Sequence, residues 1–215
     1  MGTIKQGVLG GFSGKVGTVI GSHWKGINYM RGIPQHVHNP RTEGQVNQRT
    51  KFAVALHFLQ PLNDFLRTGF KLYAKKQLPF NAAKAYTLAN AITGTSPLDY
   101  AIDQSKVLVS RGRLPLPDYT EADTGPADFE VNFHWSNNSG LGSAQATDKA
   151  LLVLFNFGKA EVLSITAGNP RSAERQQMFA PEQWQGDDVY AYIGFISEDG
   201  KQVSNSKYLG ICEIP

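Results

Sequence analysis

Few side chains in this 215-residue sequence have the types and spacing that phosphate chemistry requires. The best candidate is residues 10–16, GGFSGKV, which is similar to a phosphate-binding loop. That loop has four residues between its glycines, and a Ser or Thr after its lysine to hold magnesium. Here three residues separate Gly10 from Gly14, and Val16 follows the lysine. We therefore expect no nucleotide-phosphate site.

The side chains that could bind a metal or act as a nucleophile are isolated as well. His36 and His38 would share one face of a strand, but no nearby Asp, Glu or Cys completes a ligand set. Cys212 stands among isoleucines, which indicates a buried thiol and not an activated one. Asp187 and Asp188 are adjacent, so their side chains would point apart on a strand. We predict that the chain is not an enzyme and holds no metal or cofactor.

Charge divides the sequence into a basic and an acidic half. Residues 1–113 carry 15 Lys and Arg against 4 Asp and Glu, a balance of +11, whereas residues 114–215 carry 6 against 14, a balance of −8. This asymmetry fits a polyanion-binding half joined to a neutralising half. It equally fits head-to-tail contacts between copies of the chain, or two surfaces that have drifted separately. The sequence leaves these three interpretations open.

Eight residues of the basic half form the candidate interaction set. Their cations alternate with aromatic side chains, a combination that can contact phosphates and stack on bases. We expect the partner to be a second copy of the chain or another structural protein, with nucleic acid as the alternative. No membrane span is expected, because no run of eighteen apolar residues occurs. The set consists of Lys15, Trp24, Lys25, Tyr29, Arg31, Arg41, Arg49 and Lys51.

Three regions must position these side chains. Residues 1–44 contain ten of the 22 glycines, with short β-favouring pieces between them. Glycine at this density disfavours a helix and permits tight turns. We predict a basic, glycine-rich arm or a small glycine-cornered meander. It would become ordered by packing on the rest of the chain or on another chain.

Residues 45–104 are predicted to be helical. Thr42 is a suitable N-cap, and apolar residues recur at spacings of three and four from Phe52 to Phe70. Pro61 either kinks this helix or starts a second one. A further helix is predicted to begin with Asn81 as its cap and to stop at Gly94.

Residues 105–215 are predicted to form an antiparallel β-sandwich of the immunoglobulin or fibronectin kind. Phe129, Val131, Phe133 and Trp135 alternate with polar residues, and Asp-Gly at 199–200 is a hairpin signal. The single cysteine excludes an intramolecular disulfide. The fold class is therefore α+β, with two structural units expected to meet near residues 110–127. The expected strands cover residues 106–111, 129–135, 150–157, 161–166, 171–179, 188–196 and 203–214.

Three segments resemble an uncharacterised family found in Bacteroidota. They are GGFSGKVGTVIGSHWKGINYMRGIP at residues 10–34, NPRTEGQVNQRTKF at 39–52 and VSNSKYLGICEI at 203–214. Similar glycine-rich, basic openings also occur in proteins of tailed phages and prophages. The resemblance implies membership of a family without assigned catalytic or binding residues.

These observations predict a non-enzymatic structural or assembly protein that self-associates through its N-terminal arm. We expect synthesis in the cytoplasm and incorporation into a phage or prophage virion. The first alternative is a nucleic-acid-binding protein that uses the basic half. The second is a surface- or carbohydrate-binding protein that uses sandwich loops such as residues 136–146.

Overall fold

The computed structural model describes residues 2–4, 7, 10–24, 26–36, 39–74 and 77–215. It divides the chain into two compact units, Met1–Thr42 and Glu43–Pro215, which we call the N-terminal and C-terminal units. The division therefore does not lie near residues 110–127, where the sequence suggested that two units would meet. The physical reason is that the helices share one hydrophobic core with one of the β-sheets that follow them.

The N-terminal unit is a four-stranded antiparallel meander. Its strands are β1 (Thr3–Ile4), β2 (Phe12–Val16), β3 (Val19–Trp24) and β4 (Ile27–Gly32), and they are hydrogen-bonded in that order. Trp24 pairs with Ile27, so the chain reverses within two positions. Gly26 at this reversal has φ +89°, a conformation that other residues rarely adopt. Of the two forms predicted for this segment, the described residues adopt the meander.

Three helices open the C-terminal unit: α1 (Glu43–Leu59), α2 (Asn63–Gly69) and α3 (Pro79–Asn90). Pro61 lies between α1 and α2, so the apolar pattern from Phe52 to Phe70 covers two helices. The prediction that Asn81 caps the third helix was wrong, because α3 begins at Pro79. Proline suits the first helical position, where its fixed φ is already helical and no N–H is required.

Nine further strands follow, and all their pairings are antiparallel. β5 pairs with β6 in a short hairpin, and the other seven form a three-stranded sheet, β11-β8-β7, and a four-stranded sheet, β10-β9-β12-β13. The strands are β5 (Ile92–Thr93), β6 (Ala101–Ile102), β7 (Thr120–Thr124), β8 (Glu130–Trp135), β9 (Lys149–Asn156), β10 (Glu161–Ile165), β11 (Arg175–Phe179), β12 (Asp188–Ile196) and β13 (Lys207–Glu213).

The four-stranded sheet is the middle of three layers. Val153 and Phe155 of β9 pack with the helices, whereas Leu152 and Leu154 pack against the three-stranded sheet. A strand buried on both faces reads as a continuous apolar run, which explains the sequence ALLVLF in β9. The α+β class with an antiparallel β-sandwich is thus confirmed. Among the described helices, none has the length and apolar character needed to cross a lipid bilayer.

Three of the predicted strands differ from the structure, and one of them, residues 203–214, is shortened to β13 (Lys207–Glu213). Residues 106–111 join no β-sheet. The amide of Val109 donates to Ser206 Oγ (2.8 Å), and the amide of Arg111 donates to the Gly69 carbonyl (2.9 Å). Residues 171–179 begin instead with a 3-10 turn, Arg171–Ala173. Glu174 ends that turn at φ +60°, and β11 starts only after it.

Candidate functional site: a basic and aromatic sheet face

The register of the N-terminal sheet brings four of the eight candidate residues onto one face. Ile20 of β3 pairs with Lys15 of β2 and with Arg31 of β4. Paired residues of an antiparallel sheet point to the same side, and so do residues two apart along a strand. We call the resulting surface the basic–aromatic face. Its members are Lys15, Ile20, Ser22, Trp24, Ile27, Tyr29 and Arg31.

The opposite face is partly closed by the sheet's own side chains. A Cβ built on Gly21 would lie 2.2 Å from the carbonyl oxygen of Phe12 and 2.5 Å from a carbon of its ring. A Cβ built on Gly11 would lie 2.2 Å from a side-chain carbon of Asn28. These approaches require glycine at both positions. Phe12 and Asn28 cover part of this opposite face, where Val16 and Met30 are still 53% and 70% exposed. The basic–aromatic face is therefore distinguished by its cations and aromatic rings, and not by exposure alone.

Large apolar side chains on the basic–aromatic face are exposed. The exposed fractions are 62% for Trp24, 65% for Ile27 and 46% for Tyr29. Gly21 is the one residue of the N-terminal unit that is buried, among those that the structure describes. A sheet needs a covered hydrophobic face for independent stability, and contiguous exposed apolar surface marks an interaction site. The N-terminal sheet therefore has the character of a surface made to be covered.

The electrostatic character of this face is uniformly positive. Residues 1–42 contain five Lys and Arg and no Asp or Glu. Lys15 and Arg31 flank Ile20 in a single row across three strands, and both side chains are exposed. Without a carboxylate in this part of the sequence, their charges are available to an acidic partner.

The other four candidate residues are placed elsewhere. Lys25 lies outside the described residues. Arg41 is exposed just before α1, with φ +46°. Arg49 and Lys51 belong to α1 in the C-terminal unit, where Lys51 Nζ lies 4.9 Å from the centre of the Tyr100 ring. That geometry is a cation–π contact.

Side chains considered for catalysis have structural partners. Cys212 is 5% exposed, its Sγ lies 3.7 Å from the Ala122 carbonyl oxygen, and burial raises the pKa of the thiol. A raised pKa disfavours the nucleophilic thiolate. Asp187 pairs with Lys159 and accepts a hydrogen bond from Asn156, and these contacts lower its pKa.

The histidine pair that was considered, and not favoured, as a metal site lies only partly within the described residues. His36 is exposed, and His38 lies outside the described residues. Within the ranges that the structure describes, no three His, Cys, Asp or Glu side chains are grouped as metal binding requires.

A buried ion pair in the sandwich was not predicted. Arg171 and Asp148 are 0% and 1% exposed at their side chains, and Arg171 Nη2 lies 3.2 Å from Asp148 Oδ2. The same guanidinium donates to Asn138 and stacks 4.2 Å from the centre of the Phe195 ring. Asn138 belongs to the loop at residues 136–146. Because its side chain bonds to Arg171 and to the Leu116 carbonyl, it is engaged within the protein.

A cleft beside α1 was missed as well. It has a volume of ≈ 630 Å³ and we call it the α1 cleft. Aromatic rings meet edge-on along it: His57 lies 6.3 Å from Phe157, and Phe157 lies 6.5 Å from Tyr190, between ring centres. The residues that matter here come from α1, β6, β12 and two loops, so no sequence pattern joins them. Its main lining residues are Val54, His57, Tyr100, Ile102, Phe157 and Tyr190.

Comparison with known proteins shows the family of the chain and a likeness to solved structures. The model described as "Family of unknown function (DUF6266)" matches residues 11–210. No curated protein matches the chain. Among solved structures, the chain is similar to the crystal structure of chicken CNTN1 FN1-FN3 domains, with 12% identity and a TM-score of 0.39. The match covers 48% of this chain and 34% of that chain, so it spans about a third of that structure's length.

Proposed function

Because the chain belongs to the family of unknown function DUF6266, we propose its role from its own geometry: a non-enzymatic structural protein that self-associates through the basic–aromatic face. This membership agrees with the uncharacterised family that the sequence resembled. One observation carries the proposal. The N-terminal sheet exposes large apolar side chains while the described part of it buries a single glycine.

The energetic argument favours a protein partner. Ordering each residue of a sheet costs about 1–2 kcal/mol of backbone entropy, which the burial of apolar side chains must offset. Fully burying a side chain such as isoleucine contributes about 1.5–3 kcal/mol. Ile27 and Trp24 retain most of their exposure, at 65% and 62%, so that contribution is still to be gained. A protein surface that covers this face supplies it.

A second copy of the chain is the partner that charge favours. Residues 1–42 contain no acidic residue, whereas residues 114–215 have a balance of −8. A contact between the basic face of one copy and the acidic half of the next is heterologous. Such a contact repeats until it closes into a ring or continues as a filament.

A repeating contact of this kind suits a particle built from many subunits. We therefore propose a phage or prophage virion as its setting, after synthesis in the cytoplasm. In that setting the N-terminal sheet acts as an arm that reaches a neighbouring subunit. The sandwich, with seven strands split into sheets of three and four, is proposed to be of the immunoglobulin or fibronectin kind.

Sedimentation velocity of the full-length protein tests the assembly role. We expect the mean mass to rise with protein concentration and to fall as salt is raised, because exposed charge pairs are screened within about 8 Å at physiological ionic strength. Deleting residues 1–33 should leave a folded monomer. Full-length protein that remains monomeric at high concentration would contradict the proposal, as would normal assembly by the deletion variant.

Nucleic-acid binding is the second candidate, and one observation favours it. Lys15, Trp24, Tyr29 and Arg31 share a single sheet face, as phosphate contacts and base stacking on one strand would require. Fluorescence anisotropy with single-stranded DNA and RNA at several salt concentrations tests it. Binding that weakens steeply with salt, by a protein that stays monomeric, would replace the assembly role with this one.

A further inference from the structure

We propose that the α1 cleft and the acidic residues beside it receive the basic–aromatic face of a second copy. This inference rests on the proposed self-association and names the surface that the face contacts. Its basis is that each surface has a row of charged side chains beside a row of apolar or aromatic ones, and the charges of the two surfaces are opposite.

The cleft has the form of a docking site. Tyr190 belongs to the side of the four-stranded sheet that packs with the helices, and the other rings of the cleft come from α1, the loop before β6 and the turn after β9. Phe157 remains 44% exposed, and Ile211, which pairs with Tyr190, remains 55% exposed. Exposed apolar side chains grouped at a surface in this way mark an interaction site.

Two carboxylates extend this apolar surface. Asp188 pairs with Glu213, and both are exposed. They stand two residues from Tyr190 and Ile211 on the same strands, so all four side chains lie on one side of the sheet. The cations near the cleft are already engaged, Lys51 with the Tyr100 ring and Lys159 with Asp187. Asp188 and Glu213 thus form an acidic row beside an apolar one.

The basic–aromatic face repeats this pattern with the opposite charge. Lys15 and Arg31 occupy one row, and Tyr29 lies in the next row of the same face. On both surfaces the charged row and the aromatic row are two residues apart, about 7 Å along the strands. Lys15 and Arg31 are separated by two strand spacings, about 10 Å, so their long side chains can bracket the acidic pair.

β4 is well placed to enter the cleft. All six of its residues, Ile27–Gly32, are exposed, and it forms the edge of its sheet. When Arg31 lies over the acidic row, Tyr29 and Ile27 extend towards Tyr190 and the cleft. The apolar side chains of one copy then cover the apolar cleft of the other, while the charges fix the register.

Two charge-reversal variants of the full-length protein test this pairing. The face variant carries Lys15→Glu and Arg31→Glu, and the rim variant carries Asp188→Lys and Glu213→Lys. Alone, each variant places like charges opposite each other, and we expect self-association at least tenfold weaker than that of the wild type by sedimentation velocity. Mixed in equal amounts, they should assemble again, because the reversed face meets the reversed rim and the two native surfaces also meet.

The control is a third variant, Asp118→Lys with Glu182→Lys, which changes the net charge by the same amount at exposed sites elsewhere. It should associate as the wild type does. If the wild type associates but the rim variant matches this control, the cleft is not the docking surface and self-association still stands. If mixing the face and rim variants restores nothing, the pairing is wrong. If the wild type itself is monomeric, both the pairing and the assembly role fail.

Discussion

Replacing Gly21 with alanine should disrupt the N-terminal sheet selectively. The new Cβ would lie 2.2 Å from the Phe12 carbonyl oxygen, and backbone cannot move aside as a flexible side chain can. Relieving that overlap requires β2 to shift by about 1 Å, and overpacking of this kind costs about 1–3 kcal/mol. A sheet whose described residues bury one glycine has little stability to lose. The equilibrium constant between folded and unfolded sheet should fall by roughly five- to 150-fold.

Gly32→Ala is the matched control for this change. Gly32 pairs with Val19 on the same side of the same sheet, but a Cβ there would have no atom within 4 Å. Hydrogen exchange measured by mass spectrometry should show lost protection over residues 12–32 in Gly21→Ala and wild-type protection in Gly32→Ala. Exchange in the C-terminal unit should not change. Equal protection in the two variants would refute the packing of Phe12 on Gly21.

Two further predictions concern the C-terminal unit. Arg171→Met should lower the free energy of unfolding, measured in urea, by about 3–5 kcal/mol, because it leaves Asp148 buried without its cation. Adding Asp148→Asn should recover part of that loss, and no recovery would contradict the pairing. Backbone and hydroxyl hydrogen bonds from Thr95 and Ser96 hold the pKa of Asp99 at about 2. This pKa lies below the value of about 3.9 in the unfolded chain. The bonds therefore stabilise the loop fully at pH values above about 3.9, and the stabilisation is lost as the pH falls through 2. An NMR titration of the Asp99 carboxyl with a midpoint near 4 would disagree.

The sequence predicted best the strands that have one buried and one polar face, and the strands that are buried on both faces. β8 alternates between the core and a polar face, and β12 and β9 are apolar runs bounded by turns. Residues 106–111 have the same β-favouring composition, yet they bond to residues 69 and 206 and join no sheet. Composition shows that a segment is extended, but its partners decide whether it becomes a strand.

Helical periodicity located the helices but misjudged part of the buried face. Phe52 and Leu56 belong to the predicted apolar stripe, yet they are 41% and 43% exposed. Ala55 and Phe58 are buried in α1 instead, and Lys84 covers the Phe52 ring at 4.7 Å. The spacing of three and four residues fixes a stripe only to within about one position, and tertiary packing chooses between neighbours.

The candidate site was predictable in its residues and not in its arrangement. Interleaved cations and aromatics selected Lys15, Trp24, Tyr29 and Arg31, but strand register places them on one face. That register depends on the two-position reversal at Gly26, and the glycines of residues 1–44 alone did not show which of them would form the turn. Nothing local could indicate the α1 cleft, because its lining residues lie as far apart in the sequence as Val54 and Tyr190.

The most direct test of self-association through the basic–aromatic face compares a serine substitution on this face of β4 with one on the opposite face. Ile27 and Met30 lie three residues apart on β4, so they point to opposite faces, and their exposed fractions are 65% and 70%. The dissociation constant of self-association, measured by sedimentation velocity on full-length protein, should rise at least tenfold in Ile27→Ser. In Met30→Ser it should stay within about threefold of the wild type. Equal effects of the two substitutions, or no effect of Ile27→Ser, would contradict the assignment of this face.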